Sequence, residues 1–111
     1  MFVLGYEGDE PYSEVNKNLV TALNNGLGGV IFFTQNITNK EKFHKSVEYI
    51  KKESLIKPFL SIDQEGGRVE RTLNLHNGRK YLSARDVAKK GVEFVEQQAE
   101  MIANKIYEGV M

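Results

Sequence analysis

The chain lacks cysteine, and its 15 Lys and Arg residues balance 15 Asp and Glu residues over 111 positions. The absence of cysteine excludes disulfide scaffolds, thiolate zinc sites and thiol nucleophiles. Zero net charge argues against a dedicated nucleic-acid binder or a basic membrane-bound protein. No apolar run approaches the roughly 20 residues that span a bilayer, and Met1–Gly8 lacks the basic flank and longer apolar stretch of a signal peptide. We therefore expect one soluble, cytoplasmic domain with neither nucleic acid nor membrane as a partner.

Charge is unevenly distributed along this neutral chain. The segment Met1–Glu14 contains four acidic residues and neither Lys nor Arg, whereas Arg68–Lys90 contains seven basic residues and two acidic ones. All four arginines of the chain lie in this second segment. Arginine offers a rigid fork of donors suited to carboxylates and other polar oxygens. On charge alone, the segment is interpreted as a solvated basic loop and helix start.

Short apolar runs alternate with helical patterns. The runs that predict strands are Phe2–Leu4, Val30–Phe33 and Phe59–Ile62. The first two are predicted to be buried strands, the second on both faces. The helical stripes are Val15, Leu19 and Leu23; Phe43, Val47 and Ile50; and Val92, Val95, Ala99, Ile102 and Ile106. Three strand–helix units with buried strands predict an α/β fold with a parallel sheet and right-handed crossovers.

Local signals predict where the first two helices end and begin. The glycines at positions 26, 28 and 29 are expected to end the first helix, because glycine relieves the strain of a left-handed C-cap. Thr38 lies three residues before Glu41, which is the spacing of a capping box at the start of the second helix.

The last helix is bounded by similar signals. Ser83 together with Asp86 is expected to cap its start, and Gly109 is expected to end it. Val110-Met111 is then interpreted as the first step of a further strand.

The segment after the third predicted strand is the richest candidate site. Ligands of parallel α/β folds bind at the carboxyl ends of the strands, and this strand is followed by Asp-Gln-Glu-Gly-Gly-Arg-Val-Glu-Arg, residues 63–71. Asp63 at the strand tip can accept two hydroxyl donors, and Arg71 can supply donors to sugar oxygens. Gly66 and Gly67 allow backbone angles closed to other residues and permit a close approach by a ligand. This combination suits a polyhydroxylated ligand.

Other interpretations of the same residues remain open. Asp63 can instead pair with Arg68 or Arg71 and merely shape the loop. Asp63 and Glu65 resemble a glycosidase carboxylate pair, but such groups stand roughly 5–10 Å apart across one bond, and residues two apart on a turning loop need not converge. His44 is expected to be partly exposed and inert. His76 is a candidate base without a marked partner, and neither histidine has a metal-ligand spacing.

Residues 63–71 resemble the Asp-Gln-Glu-Gly-Gly-Arg-Val-x-Arg motif of glycoside hydrolase family 3, specifically its bacterial beta-N-acetylhexosaminidases. Gly28–Ile37 is similar to the family's second-strand motif, and Gly5–Gly8 is compatible with its first strand and loop. The resemblance covers nearly the whole chain. It implies that residues 1–111 are a partial N-terminal domain of the family, comprising the first three units of a (β/α)8 TIM barrel.

The resemblance also implies roles for the motif residues. Asp63 would bind hydroxyls of a terminal N-acetylglucosamine, and Arg71 would contact the same sugar. The secondary or loop-shaping positions would be Glu65, Gly66, Gly67 and Arg68. The enzymes it resembles release N-acetylglucosamine from peptidoglycan fragments in the cytoplasm, as part of peptidoglycan recycling. They retain configuration through a covalent glycosyl-enzyme, and the resemblance implies neither a metal nor another cofactor.

The chain departs from the family in its catalytic residues. The family's general acid/base is a histidine in a Lys-His-Phe-Pro-Gly-His-Gly loop that does not occur here, and its nucleophilic aspartate belongs to a strand beyond Met111. Asp9 and Asp86 stand in the wrong context to replace that aspartate, and His76 matches the histidine neither in position nor in motif. Residues 72–82 also diverge from the family's Phe- and Pro-containing segment. We therefore expect no catalytic residue in this chain.

Three functional interpretations follow. The first is the N-terminal part of a hexosaminidase, inactive alone and carrying part of the sugar site. The second is a non-catalytic saccharide-binding or interaction module of three-unit α/β fold. The third is an unrelated α/β domain whose glycine-rich loop is structural. Under the first, the three units leave two sheet edges unpaired. We then expect a marginal monomer, self-association through those edges, or pairing with a complementing chain.

Overall fold

A computed structural model describes residues 1–75 and 77–110 of the chain. Three parallel strands, β1 (Val3–Leu4), β2 (Gly29–Phe32) and β3 (Phe59–Ile62), form an open sheet in the order β1-β2-β3. Gly29 of β2 lies opposite Val3 on one side and Phe59 on the other. The predicted α/β class with a parallel sheet is confirmed, and this arrangement is that of the first units of a TIM barrel.

Helices connect the strands in the order that the sequence predicts. They are α1 (Glu14–Asn24), α2 (Lys40–Glu53), α3 (Ala84–Ala88) and α4 (Val92–Val110). The helices α1 and α2 are the crossovers between neighbouring strands, and α4 packs against α2 and α3. Within residues 1–75 and 77–110, no helix is both long enough and apolar enough to cross a membrane.

The hydrophobic core lies between one face of the sheet and the first two helices. Its buried members are Leu19, Leu23, Val30, Phe32, Ile37, Phe43, Val47, Ile50 and Leu75. The rings of Phe32 and Phe43 meet edge to face at 4.9 Å between centroids, a favourable geometry for aromatic pairs. The predicted stripe of α2 is confirmed. That of α1 begins later than predicted, because Val15 is 40% exposed.

The prediction that the first strand is buried, and that the second is buried on both faces, is wrong. Val30 and Phe32 of β2 are buried against the helices, but Ile31 is only half-buried on the opposite face. The run Phe2–Leu4 is exposed, and so is Phe59 on β3. The reason is that helices cover one face of this sheet, while the described residues leave much of the other face and the outer edges in contact with solvent.

The predicted signal is confirmed at the end of α1 but not at the start of α2. After α1, Gly26 N donates to Leu23 O and Leu27 N to Ala22 O, with Gly26 at φ 112°, which is the Schellman pattern predicted from the glycines. The expected capping box at Thr38 is wrong. The N-cap of α2 is Asn39, whose side chain accepts from Lys42 N at 3.0 Å.

The last helical region is divided into two helices. Ser83 Oγ accepts from Asp86 N at 3.2 Å, but this cap begins the short helix α3 rather than the long final helix. Gly91 at φ 97° then turns the chain into α4. The prediction that Gly109 ends the helix is wrong, because α4 continues to Val110. One glycine costs a helix only about 1 kcal/mol relative to alanine, which does not by itself stop it.

The predicted apolar face of α4 is only partly covered. Val92 is 75% exposed and Val95 40% exposed, whereas Ile102 and Ile106 are half-buried. The further strand expected at Val110-Met111 is wrong for Val110, which is helical, and Met111 lies outside the described residues.

Candidate functional site

Three loops follow the carboxyl ends of the strands, and Asn36 fixes two of them together. Asn36 is 1% exposed and lies in a 3-10 turn directly after β2. Its Nδ2 donates to Tyr6 O at 3.0 Å and to Gly8 O at 2.9 Å, and its Oδ1 accepts from Phe33 N at 2.9 Å. One buried amide therefore holds the loop after β1 against the end of β2.

The loop after β3 brings Asp63 and Arg71 together. Arg71 Nη2 lies 3.8 Å from Asp63 Oδ2. The guanidinium carbon of Arg71 lies 5.4 Å from the centroid of the Phe33 ring, within cation–π range. Arg71 Nη1 also approaches Thr34 Oγ1 at 3.4 Å. The arginine therefore reaches from the third loop to the end of β2.

The Asp63–Arg71 pair keeps most of its hydrogen-bonding capacity. A separation of 3.8 Å is an ion-pair distance but exceeds hydrogen-bond length. Arg71 Nε is buried without a hydrogen-bond partner among the described residues. The side chain of Asp63 is 40% exposed and that of Arg71 26% exposed. A hydroxylated ligand can therefore bond to both groups without breaking a strong internal hydrogen bond.

The glycine pair lies against another part of the same chain. Gly66 and Gly67 have φ of 77° and 61°, a region that favours glycine. A Cβ at Gly66 would overlap Leu82 O, and one at Gly67 would lie 2.9 Å from Ser83 Cβ. Gly67 N also donates to Tyr81 O at 2.9 Å. The space beside both glycines is therefore occupied by residues 81–83, and the pair docks that segment onto the motif loop.

The remaining motif residues divide into a polar network and a solvent-facing turn. Gln64 Oε1 accepts from Arg71 N at 2.9 Å, and Gln64 Nε2 donates to Glu70 Oε1 at 2.7 Å. Glu65 and Arg68 are exposed. Of the two arginines expected as partners of Asp63, the structure places Arg71 beside it.

Four neighbours of the site were missed by the sequence reasoning: Phe33, Thr34, Gln64 and Glu70. All four lie in the two segments that the sequence singled out. Nothing in their spacing shows that a ring from one strand end lies against an arginine from the next.

The two histidines are not brought to the Asp63–Arg71 pair. His44 is half-buried on α2 and lines a surface groove with Asn39, Glu41 and Glu108, whereas His76 lies outside the described residues. Among residues 1–75 and 77–110, no group of three or more His, Cys, Asp or Glu side chains is placed to hold a metal ion.

The first loop contains two titratable groups with shifted pKa values. Burial, assisted by the charge of Asp9, raises the pKa of Tyr6 to about 12. The Tyr6 ring packs edge-on against Phe32, with 6.1 Å between centroids. The hydrogen bond from Thr38, with a further contribution from Lys42, lowers the pKa of Asp9. At neutral pH the loop therefore carries an ionised Asp9 beside a protonated Tyr6.

The chain is similar to part of solved structures of NagZ from Neisseria gonorrhoeae. The TM-score is 0.52 against the native protein and 0.53 against its complexes with a zinc ion and with N-trifluoroacetyl-D-glucosamine. In each comparison the identity is 27%, and the match covers 63% of this chain and 20% of the NagZ chain. No model of a known protein family matches the sequence. The chain therefore shares the fold of a part of NagZ and spans a small fraction of its length.

Proposed function

We propose that the chain is the N-terminal part of a glycoside hydrolase of the beta-N-acetylhexosaminidase type and that it binds a terminal N-acetylglucosamine. The observation that carries the proposal is the Asp63–Arg71 pair at the carboxyl edge of the sheet, an acceptor beside a fork of donors. The likeness to NagZ, a beta-N-acetylhexosaminidase of family 3, supports it. One of the NagZ structures is a complex with an analogue of that sugar.

The proposed binding follows from the chemistry of the two groups. An ionised carboxylate accepts hydrogen bonds from two sugar hydroxyls, and a guanidinium donates to a ring, glycosidic or hydroxyl oxygen. The face of Phe33 holds the guanidinium from one side. Asp63 and Arg71 bind the sugar in this proposal, while Glu65, Gly66, Gly67 and Arg68 maintain the loop.

We assign no catalytic step to this chain. The resemblance places the general acid/base histidine and the nucleophilic aspartate in segments that the sequence does not contain. Asp63 lies beside Arg71, and this pair of an acceptor and a fork of donors suits the binding of a hydroxylated ligand. The whole activity, release of N-acetylglucosamine from peptidoglycan fragments in the cytoplasm, would require those further segments and no cofactor.

The sheet edges suggest how those segments would join. In the described part of the chain, β1 and β3 pair only with β2, so each presents one unpaired edge. Unpaired edges are templates for a further strand. We propose that a complementing chain, or a second copy of this one, pairs there. Analytical ultracentrifugation at increasing concentration tests the second copy, and a monomer at all concentrations contradicts it.

Titration with N-acetylglucosamine followed by amide NMR tests the sugar-binding proposal. We expect millimolar binding with shifts confined to residues 33–36 and 63–72. Asp63→Asn should abolish these shifts because it removes one charged acceptor. Asp86→Asn, the same change at an exposed aspartate on α3, should keep them. Absence of shifts in the wild-type chain, or equal shifts in Asp63→Asn, contradicts the proposal.

An activity assay separates the hexosaminidase interpretation from autonomous catalysis. The chain alone should show no turnover of an aryl N-acetylglucosaminide. Clear turnover that Asp63→Ala abolishes would contradict the assignment of catalysis to other segments.

The alternative function is a saccharide-binding module that acts without further segments. It is favoured by the core between the sheet and its helices, which is formed by this chain alone. The two proposals differ in whether a chain that supplies the remaining barrel units restores hydrolysis. A separately expressed chain with the remaining barrel units should restore hydrolysis only if this chain is part of an enzyme.

A further inference from the structure

Glu70 receives hydrogen bonds from three separate places in the chain. Its Oε1 accepts from Gln64 Nε2 at 2.7 Å and from Thr72 Oγ1 at 2.9 Å, and its Oε2 accepts from Tyr81 N at 3.0 Å. Gln64 Oε1 accepts in turn from the backbone N–H groups of Arg71 at 2.9 Å and Thr72 at 3.2 Å. Gln64 therefore accepts from the backbone N–H groups of Arg71 and Thr72, and Glu70 fixes the orientation of Gln64.

The guanidinium of Arg71 lies over the Phe33 ring but makes no hydrogen bond shorter than 3.4 Å to the described residues. It approaches Asp63 at 3.8 Å and Thr34 at 3.4 Å, and its Nε has no partner among the described residues. The hydrogen bonds that place the residue are therefore those to its backbone and to its neighbour. These depend on Gln64, whose orientation is set by Glu70.

We propose that Glu70 is a positioning residue for the sugar site, fixing Arg71 beside Asp63 through Gln64. This proposal rests on the proposed sugar-binding function of that pair. It also links the site to a distant segment, because Tyr81 donates its N–H to Glu70 and accepts from Gly67 N with its carbonyl. A displacement of residues 81–83 would therefore be transmitted to Arg71.

The donors around Glu70 require a carboxylate, because both of its oxygens accept hydrogen bonds. In Glu70→Gln, one acceptor oxygen becomes an NH₂ group. If the amide oxygen faces Gln64, the NH₂ meets Tyr81 N–H, and if it faces Tyr81, the NH₂ meets Gln64 Nε2. Rotating the Gln64 amide by about 180° brings its oxygen to the NH₂ group at position 70, but its own NH₂ group then faces Arg71 N–H. Every arrangement of the single variant leaves one N–H facing another donor.

Exchanging the two side chains restores the balance. In the double variant Gln64→Glu/Glu70→Gln, the carboxylate at position 64 accepts from Arg71 N, Thr72 N and the new amide of position 70. The amide oxygen at position 70 then accepts from Tyr81 N. The hydroxyl of Thr72 accepts as well as donates, so it can bond to the same NH₂ group. The single variant Gln64→Glu, by contrast, places two carboxylates against each other.

Amide NMR of the full chain provides the test, in the absence and presence of N-acetylglucosamine. We expect Glu70→Gln to weaken binding about tenfold, the factor that one such hydrogen bond is worth, and to shift the Arg71 Nε–H and Tyr81 N–H resonances. The double variant should restore both the affinity and the resonances. Glu96→Gln, the same change at an exposed glutamate on α4, should behave as wild type.

The outcomes separate this proposal from the proposed function. If the wild-type chain binds no N-acetylglucosamine, the function fails, and the resonances alone decide the role of Glu70. If Glu70→Gln leaves both resonances and the affinity unchanged, the positioning role is overturned. If the single variant unfolds, a folded double variant with wild-type resonances supports the proposal. A double variant no better than Glu70→Gln contradicts it.

Discussion

Arg71 Nη2 lies 3.8 Å from Asp63 Oδ2, near enough for an ion pair and too far for a hydrogen bond. Both side chains are partly exposed, and ion pairs of this kind contribute at most about 1 kcal/mol to stability. The pair therefore contributes little to the stability of the fold. Its unused donors and acceptors are available to a ligand, so stability and binding can be separated by substitution.

Substitution of Arg71 should remove binding without unfolding the chain. Arg71→Met loses the donors but keeps an apolar stem over Phe33. We expect no binding of N-acetylglucosamine and a decrease of about 1 kcal/mol or less in the free energy of unfolding, measured by urea denaturation. Arg79→Met is the matched control, because Arg79 lies over the Tyr81 ring at a similar distance of 5.5 Å. It should retain binding, and a loss equal to that of Arg71→Met would indicate a non-specific effect.

The requirement for glycine at position 66 should exceed that of an ordinary left-handed turn. Gly66 and Gly78 both have φ of 77°. A Cβ at Gly66 would overlap Leu82 O, whereas a Cβ at Gly78 would meet no atom of the described residues within 4 Å. Gly78→Ala should cost about 1–2 kcal/mol of backbone strain. Gly66→Ala should cost about 1–3 kcal/mol more, because residues 81–83 must move. Equal costs in thermal or urea unfolding would contradict the docking of that segment.

Asn36 should be needed as an amide and not only as a polar side chain. Asn36→Ala removes the three hydrogen bonds of a buried side chain and should destabilise the chain by about 2–3 kcal/mol. Asn36→Asp should be no better, because a carboxylate cannot donate to the carbonyls of Tyr6 and Gly8. The control is Asn24→Ala at an exposed asparagine, with an expected cost below that of Asn36→Ala. Chemical denaturation of the three variants checks the order.

The raised pKa of Tyr6 should make stability fall at alkaline pH. Folding raises this pKa from 10.0 to about 12, so the folded chain holds the proton more tightly than the unfolded chain. The contribution is complete below pH 10 and is lost as the pH rises towards 12. Urea denaturation across this range should show a steeper decline for wild type than for Tyr6→Phe, and parallel declines would contradict the burial of the hydroxyl.

The same variant tests the environment of the Tyr6 hydroxyl at neutral pH. That hydroxyl is buried without a hydrogen-bond partner among the described residues. Its removal in Tyr6→Phe should therefore be neutral or stabilising at pH 7. A clear loss of stability would indicate that the hydroxyl has a hydrogen-bond partner in the folded chain.

Signals that act within a few residues predicted much of the fold. The run Phe59–Ile62 became β3 with the same bounds, and the stripe of Phe43, Val47 and Ile50 became the buried face of α2. Position at a strand end placed Asp63 at the carboxyl edge. These features follow from the periods of helices and strands and from the rule that loops at strand ends carry function.

Features that depend on which segments meet were not predictable in this way. The covered face of the sheet depends on which helices pack against it. Thr38 does not cap α2, and its hydroxyl donates instead to Asp9, which is remote in sequence. The same is true of the glycine pair, whose space is filled by residues 81–83.

The sequence by itself determined the α/β alternation, the strand that ends directly before Asp63 and the presence of an arginine eight residues after that aspartate. Only the tertiary structure decided that Arg71 lies over Phe33 beside Asp63, and that Glu70 and Gln64 hold its backbone. The physical reason is that periodicity and capping depend on neighbouring residues, whereas a binding pair depends on loops from different strands, which only the packed sheet brings to one edge.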